Sequence, residues 1–296
     1  MGADLQSLIP DVEGLTRQLE AVDYLADPGL ATSLFLAVRL PQPLLLEGEP
    51  GVGKTEAAKA LAQVLGSPLL RLQCHEGVDA AEALYEWNYP RQLLAIRVAE
   101  TQGRELAEAD LFQREYLIPR PLLRALEHQG PRPAILLIDE VDRADDEFEA
   151  FLLELLGEGS VTIPELGTVR AQVAPVVVLT SNRTRDLHDA LKRRCLYHWI
   201  EYPGLERTVE IIRRRVPQAT LSLAEQVAAA VARLRSLRIQ KPPGVAEAID
   251  WLSALQVLGL PELDQAAAGT TIGSVLKYAE DLEEASDRGL EWVARG

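Results

Sequence analysis

The sequence predicts an α/β protein, a parallel-sheet αβα domain followed by a smaller all-helical one, and three observations carry the prediction. The octet Gly48-Glu49-Pro50-Gly51-Val52-Gly53-Lys54-Thr55 spells G-x-x-x-x-G-K-T between the apolar run Pro43-Leu44-Leu45-Leu46 and the helix-forming stretch Glu56 to Leu65. Strand, glycine turn and helix in that order are the context this motif requires. A second apolar run, Ala134 to Ile138, ends in the carboxylates Asp139-Glu140. Beyond Tyr202-Pro203-Gly204 the strand signals stop and helical periodicity takes over, which divides the chain into residues 1–203 and 204–296.

The composition suits two soluble domains: 296 residues, 47% apolar and 25% charged. A net charge of −15 and a pI near 4.8 argue against nucleic acid as the main partner, since binding it requires clustered cations. Cys74 and Cys195 stand far apart without metal-type spacing, so a reduced, cytoplasmic protein is expected. The four histidines are equally scattered, and no metal beyond Mg²⁺ is expected. With no run of eighteen apolar residues, no membrane insertion is expected either.

In chain order, helices are predicted over Val12 to Tyr24 and Pro28 to Leu40, the second with Asp27 as N-cap and Pro28 at its first position. A buried strand, Pro68 to Gln73, follows the loop's helix. Residues His75 to Tyr116 break the alternation and concentrate Tyr85, Trp87 and Tyr89 within five positions. Such aromatics either grip a partner or pack the insertion onto the core. Cys74-His75 beside them reads as packing. A helix over Asp145 to Leu156 precedes a hairpin, because Val161, Ile163, Val169, Ala171 and Val173 alternate with polar neighbours around a Pro- and Gly-containing turn whose tip should be exposed. Strands Ala174 to Leu179 and Leu196 to Tyr202 complete the sheet. The helical domain reads from Leu223, Val227, Val231 and Leu234, then Val245, Ile249, Leu252 and Leu255, then Ile272, Val275, Leu276, Ala279 and Leu282.

These features imply chemistry. A glycine-rich loop presents backbone N–H groups to phosphate oxygens, Lys54 reaches the β- and γ-phosphates, and the Thr55 hydroxyl holds Mg²⁺. An acidic residue at the end of the second strand, Asp139, helps hold the same Mg²⁺, leaving Glu140 to polarise a water for attack on the γ-phosphate. Asn182, at the end of the strand that closes in Thr180-Ser181-Asn182, can orient that water. The basic run Lys192-Arg193-Arg194 is either a solvated face or an arginine that reaches a neighbouring subunit's nucleotide site.

The landmarks together resemble the AAA+ ATPases of the MoxR family, and most closely their CoxD-type members, associated with maturation of molybdenum-containing carbon monoxide dehydrogenase. The likeness rests on Leu44 to Glu56, on Arg71-Leu72-Gln73-Cys74-His75-Glu76-Gly77 with Ala83 to Leu94, on Ile138 to Ala144, and on Lys241-Pro242-Pro243-Gly244-Val245 through Trp251. The resemblance implies a nucleotide-binding run over Gly48, Glu49, Pro50, Gly51, Val52, Gly53, Lys54, Thr55 and Glu56, with Lys54 and Thr55 as Walker A residues. Asp139 and Glu140 become the Walker B pair, Asn182 sensor 1, and Arg194 the arginine finger with Arg193 as the alternative. Tyr85 to Tyr89 falls at the helix-2 insert and Ser160 to Val173 at the pre-sensor-1 hairpin. It further implies ATP and Mg²⁺ as cofactors, a homo-hexameric ring, a partner with a von Willebrand factor A domain, and a client metalloenzyme. A nucleic-acid motor or clamp-loader-like AAA+ ATPase is the alternative. One departure stands out: where related proteins offer a sensor-2 arginine this chain has Gly244, so Lys241 substitutes or the role is absent.

Overall fold

A computed structural model describes residues 3–294. The chain forms two compact units that interleave in sequence. The first comprises residues up to Gln18, Asp27–Glu47 and Ala58–His198; the second comprises Leu19–Ala26, Gly48–Ala57 and the chain from Trp199 on. The phosphate loop, within Gly48–Ala57, therefore groups with the helical C-terminal part in the second unit.

Three helices open the chain, α1 (Ala3–Leu8), α2 (Val12–Ala21) and α3 (Pro28–Arg39). Asp27 caps α3 by accepting from the Leu30 N–H at 2.9 Å. Helix α2 stops short of the expected Tyr24 because Asp23 adopts a left-handed φ of 59°, which ends a helix. Strand β1 (Leu44–Gly48) is buried throughout and leads into α4 (Lys54–Leu65) and β2 (Leu69–Gln73).

The insertion folds as α5 (Ala80–Leu84), β3 (Tyr85–Trp87), α6 (Tyr89–Thr101), α7 (Glu108–Leu111) and β4 (Leu117–Pro119), with β3 and β4 paired antiparallel. Helix α8 (Pro121–Leu126) returns the chain to β5 (Ile135–Asp139), and α9 (Asp146–Glu158) follows. Asp145 caps α9, and Gly159, at φ 61°, ends it. The hairpin is β6 (Ser160–Ile163) and β7 (Gly167–Arg170), with Pro164, Glu165 and Gly167 exposed at its tip. Strand β8 (Val176–Ser181) starts two residues later than expected, because Pro175 has no N–H and the first ladder bond runs from Val176 N to Ala134 O at 2.9 Å. Helix α10 (Asp189–Arg194) and β9 (Leu196–Ile200) complete the α/β part.

The central sheet has the order β2-β5-β8-β1-β9, and the β2/β5, β5/β8 and β8/β1 pairings are parallel. Its register aligns Gln73 with Asp139 and Glu47 with Ser181, so the carboxyl ends of four strands meet at one edge. Ligands of open α/β sheets bind beyond that edge. One face packs Leu45, Leu136, Ile138 and Leu179 against Phe148, Leu152 and Leu123.

The C-terminal helices are α11 (Leu205–Arg215), α12 (Leu221–Arg235), α13 (Val245–Val257), α14 (Gln265–Thr271), α15 (Ala279–Arg288) and α16 (Leu290–Ala294). Their core gathers Leu223, Val227, Val231, Leu252 and Leu255 around Trp251, whose indole N–H donates to Thr271 Oγ1 at 2.7 Å. The expected helix from Ile272 to Leu282 is instead a short 3₁₀ turn, Ile272–Ser274, an irregular stretch and then α15. Val275 and Leu276 are buried in that stretch, so their apolar spacing reports burial and not helix. Among the described residues no helix is long and apolar enough to cross a membrane.

Candidate functional site

In the second unit the loop curls through positive φ at Gly51 (77°) and Gly53 (98°), a conformation open to glycine that lets successive N–H groups converge on an anion. Lys54 is only 7% exposed, and its ammonium donates to Gly48 O at 2.7 Å and Glu49 O at 2.8 Å. The loop's own carbonyls thus hold the one cation the motif specifies. A Cβ on Gly48 would lie 2.5 Å from Ile200 O, which excludes any larger residue there. At Gly53 it would meet only the Tyr24 ring, at 3.9 Å, and the Tyr24 hydroxyl donates to Gly53 O at 3.4 Å.

In the first unit the ends of β5 and β8 are stitched together by hydroxyl and carboxylate groups. Asp139 is 2% exposed; its Oδ1 accepts from the Thr180 hydroxyl and its Oδ2 from Arg71 Nε at 2.9 Å and from Arg71 Nη2. The same Thr180 oxygen accepts from Glu140 N at 2.9 Å. Glu140 takes a left-handed φ of 55°, unusual for a residue with a Cβ, and its carboxylate pairs with Arg143 at 3.3 Å. That strained backbone turns Glu140 out of the β5 direction while Thr180 fixes its N–H. Next, the buried Asp142 accepts from Asn182 N at 3.2 Å, Thr184 N at 2.8 Å and Thr184 Oγ1 at 2.7 Å. Asp139, Glu140 and Asn182 are therefore linked by Thr180 and Asp142. Burial, followed by the fields of Asp139, Asp142 and Glu140, pushes the Cys74 thiol up to about 12, so Cys74 serves as packing.

Arg193 and Arg194 lie exposed at the end of α10, with the Arg194 guanidinium donating to Leu153 O on α9. The loop between β8 and α10 is anchored by Glu149, 1% exposed, which accepts from His188 N at 2.8 Å and from Arg185. The insertion's aromatics divide between burial and exposure. Trp87 is buried, edge-on to Tyr85 at 5.8 Å and to Phe112 at 5.2 Å. Tyr89 is 60% exposed on α6 beside the exposed Leu93, Leu94 and Val98. Lys241 is exposed too, its ammonium 5.8 Å from the Tyr278 ring, while Gly244 packs against Gly51.

Sequence reasoning missed Arg71, Asp142, Glu149 and Tyr24. Asp142 had a signal, three residues past Asp139 in Ile-Asp-Glu-Val-Asp, and Thr180 immediately precedes Ser181-Asn182. Arg71 and Tyr24 had none, since only the strand order and the Asp23 turn bring them in.

A glycine phosphate loop after β1, with an Asp-Glu pair at the end of β5 of a parallel sheet, defines a P-loop protein of the AAA+ fold. The chain belongs to the AAA domain family of the dynein-related subfamily, which it matches over residues 43–195. It is similar to the ATP-dependent zinc metalloprotease FtsH of Streptococcus pneumoniae, 27% identical over 205 residues, covering 64% of this chain and 25% of that protein. It is also similar to the chaperone MoxR1 of Mycobacterium tuberculosis, 28% identical over 179 residues, covering 58% of this chain and 39% of the other. Among solved structures, the RuvB Holliday junction branch migration motor of Thermotoga maritima superposes with a TM-score of 0.47 at 16% identity, over 83% of this chain and 68% of that one. The chain thus spans only about a quarter of the length of the FtsH relative.

Proposed function

We propose that this chain is an ATP-hydrolysing AAA+ chaperone of MoxR type that remodels a client enzyme. The observation that carries the hydrolytic part is the cluster in which the Thr180 hydroxyl donates to Asp139 and accepts from Glu140 N. The similarity to MoxR1 and the acidic charge of −15 support a protein client over nucleic acid.

The residues present suit a magnesium nucleotide. The loop offers two positive-φ glycines and a buried lysine ammonium for phosphate, and Thr55 in the second unit and Asp139 in the first each carry a hard oxygen of the kind Mg²⁺ takes. Mg²⁺, when bound, neutralises charge developing on the phosphates. Lys54 balances further phosphate charge, Glu140 accepts the proton of the attacking water, and Asn182 orients that water. Arg194, or Arg193 beside it, acts in trans on a neighbouring subunit's site. Domains of residues 1–203 and 204–296 then act as nucleotide-binding domain and lid.

The CoxD-type resemblance supports a finer reading. It consists of a homo-hexameric ring in the cytoplasm, a partner with a von Willebrand factor A domain, and a role in cofactor maturation of a molybdenum hydroxylase such as carbon monoxide dehydrogenase. The test is ATPase rate against protein concentration for the wild type and Arg194→Ala. A specific activity that rises with concentration and is lost in the variant, with ATP binding retained, supports a ring with an arginine in trans. Flat activity with a silent Arg194→Ala refutes both.

A further inference from the structure

We propose that Gly244 docks helix α13 backbone to backbone on the phosphate loop, as a positioning residue through which the state of the loop reaches α13. The nucleotide part of this inference rests on the function proposed above. Val245, the first residue of α13, donates its N–H to Gly51 O at 3.0 Å. A first-turn N–H has no partner within its own helix, so the loop supplies the one that water or a side chain otherwise would. Gly244 N is satisfied separately, by Glu247 Oε2 at 2.9 Å.

The approach requires two glycines. A Cβ on Gly244 would lie 2.7 Å from Gly51 Cα, 2.8 Å from Gly51 C and 2.8 Å from Pro50 O, all backbone atoms that cannot turn aside. A Cβ on Gly51 would lie 2.8 Å from Glu247 Oε2 and 3.1 Å from Gly244 Cα. The phosphate motif leaves position 51 free, so its glycine answers to this contact and to its φ of 77°.

The strap before Gly244 is held on two sides. The Tyr202 hydroxyl donates to Pro242 O at 3.3 Å, and Arg235 Nε donates to Pro243 O at 2.6 Å, with the guanidinium 4.2 Å over the Tyr202 ring. Prolines at 242 and 243 stiffen it further. A loop that shifts at Gly51 as phosphate seats must carry α13 with it or break the bond to Val245. Where a sensor arginine would touch the nucleotide with its side chain, this chain reads the loop through its main chain.

Amide hydrogen exchange on the full chain tests the dock, with and without saturating ADP, in wild type, Gly244→Ala and Glu247→Ala. In the wild type the Val245 amide is protected and ADP slows it further. In Gly244→Ala it exchanges about 5- to 30-fold faster, the weight of one lost hydrogen bond of about one to two kcal/mol, and no longer responds to ADP. Amides from Ile249 to Leu252 stay protected, which separates loss of the dock from unfolding. Glu247→Ala adds no atom to the contact and accelerates Val245 in the same direction, which serves if Gly244→Ala does not fold. Equal Val245 exchange in wild type and variants, or a wild-type amide indifferent to ADP that fluorescence quenching shows to be bound, overturns the inference. Absence of ADP binding overturns the nucleotide reading instead, and the ligand-free comparison still judges the dock.

Discussion

Asp142→Ala tests the idea that a buried carboxylate, and not the sheet alone, holds the Asn182 loop. Asp142 is 2% exposed and accepts three hydrogen bonds, from Asn182 N, Thr184 N and Thr184 Oγ1. Bonds to a charged acceptor are worth about 1.5–3 kcal/mol each. Thr184 is exposed and Asn182 half-buried, so water recovers part of each loss and about 1 kcal/mol per bond is the fair weight. The alanine variant is therefore expected to lose about 3 kcal/mol, and Asp142→Asn, which keeps one acceptor oxygen, about 1–2 kcal/mol. Urea unfolding followed by circular dichroism reads the difference, provided the slope with denaturant is unchanged. Loss of less than about 0.5 kcal/mol in Asp142→Ala, the level of an ordinary surface substitution, would refute the anchoring role.

Three further outcomes follow from the same structure. Glu149→Ala leaves the His188 N–H and the Arg185 guanidinium without their buried acceptor and should cost about 3 kcal/mol in urea unfolding. Trp251→Ala empties the centre of the helical core and removes the indole donor to the Thr271 hydroxyl, which keeps its bond to Ala267 O, an expected loss of about 3–5 kcal/mol by thermal or urea unfolding. Burial, aided at Cys74 by nearby carboxylates, pushes both Cys74 and Cys195 from the ordinary 9.0 to about 12. Both thiols should therefore resist a disulfide reagent at pH 8 until denaturant is added. Because the native values are raised, their contribution to stability is complete below pH 9 and is lost as pH climbs from there towards about 12, which urea titrations across that range would show.

Much of this was written in local sequence. The octet around Lys54 and the Ile-Asp-Glu run carry short-range patterns, and the register of β5 against β8 then delivers Thr180 to Asp139 and Glu140. What local pattern does not encode is long-range pairing. Arg71 reaches Asp139 only because β2 lies beside β5, a neighbour relation set by strand order. Gly244 read as a missing arginine until its approach to Gly51 gave the absence of a side chain a steric reason. Val275 and Leu276 misled in the other direction, since a buried irregular stretch can imitate helical spacing. In the insertion, composition flagged the aromatics but not their division into buried Trp87 and exposed Tyr89.

The most direct test of the central claim compares nucleotide binding and ATP turnover in Glu140→Gln and in the wild type. If Glu140 takes the proton of the attacking water, the variant binds ATP with wild-type affinity and turns over about 10²- to 10⁴-fold more slowly. Turnover within about twofold of wild type, against a general-base effect of that size, would contradict the assignment of Glu140 and the hydrolytic site built around it.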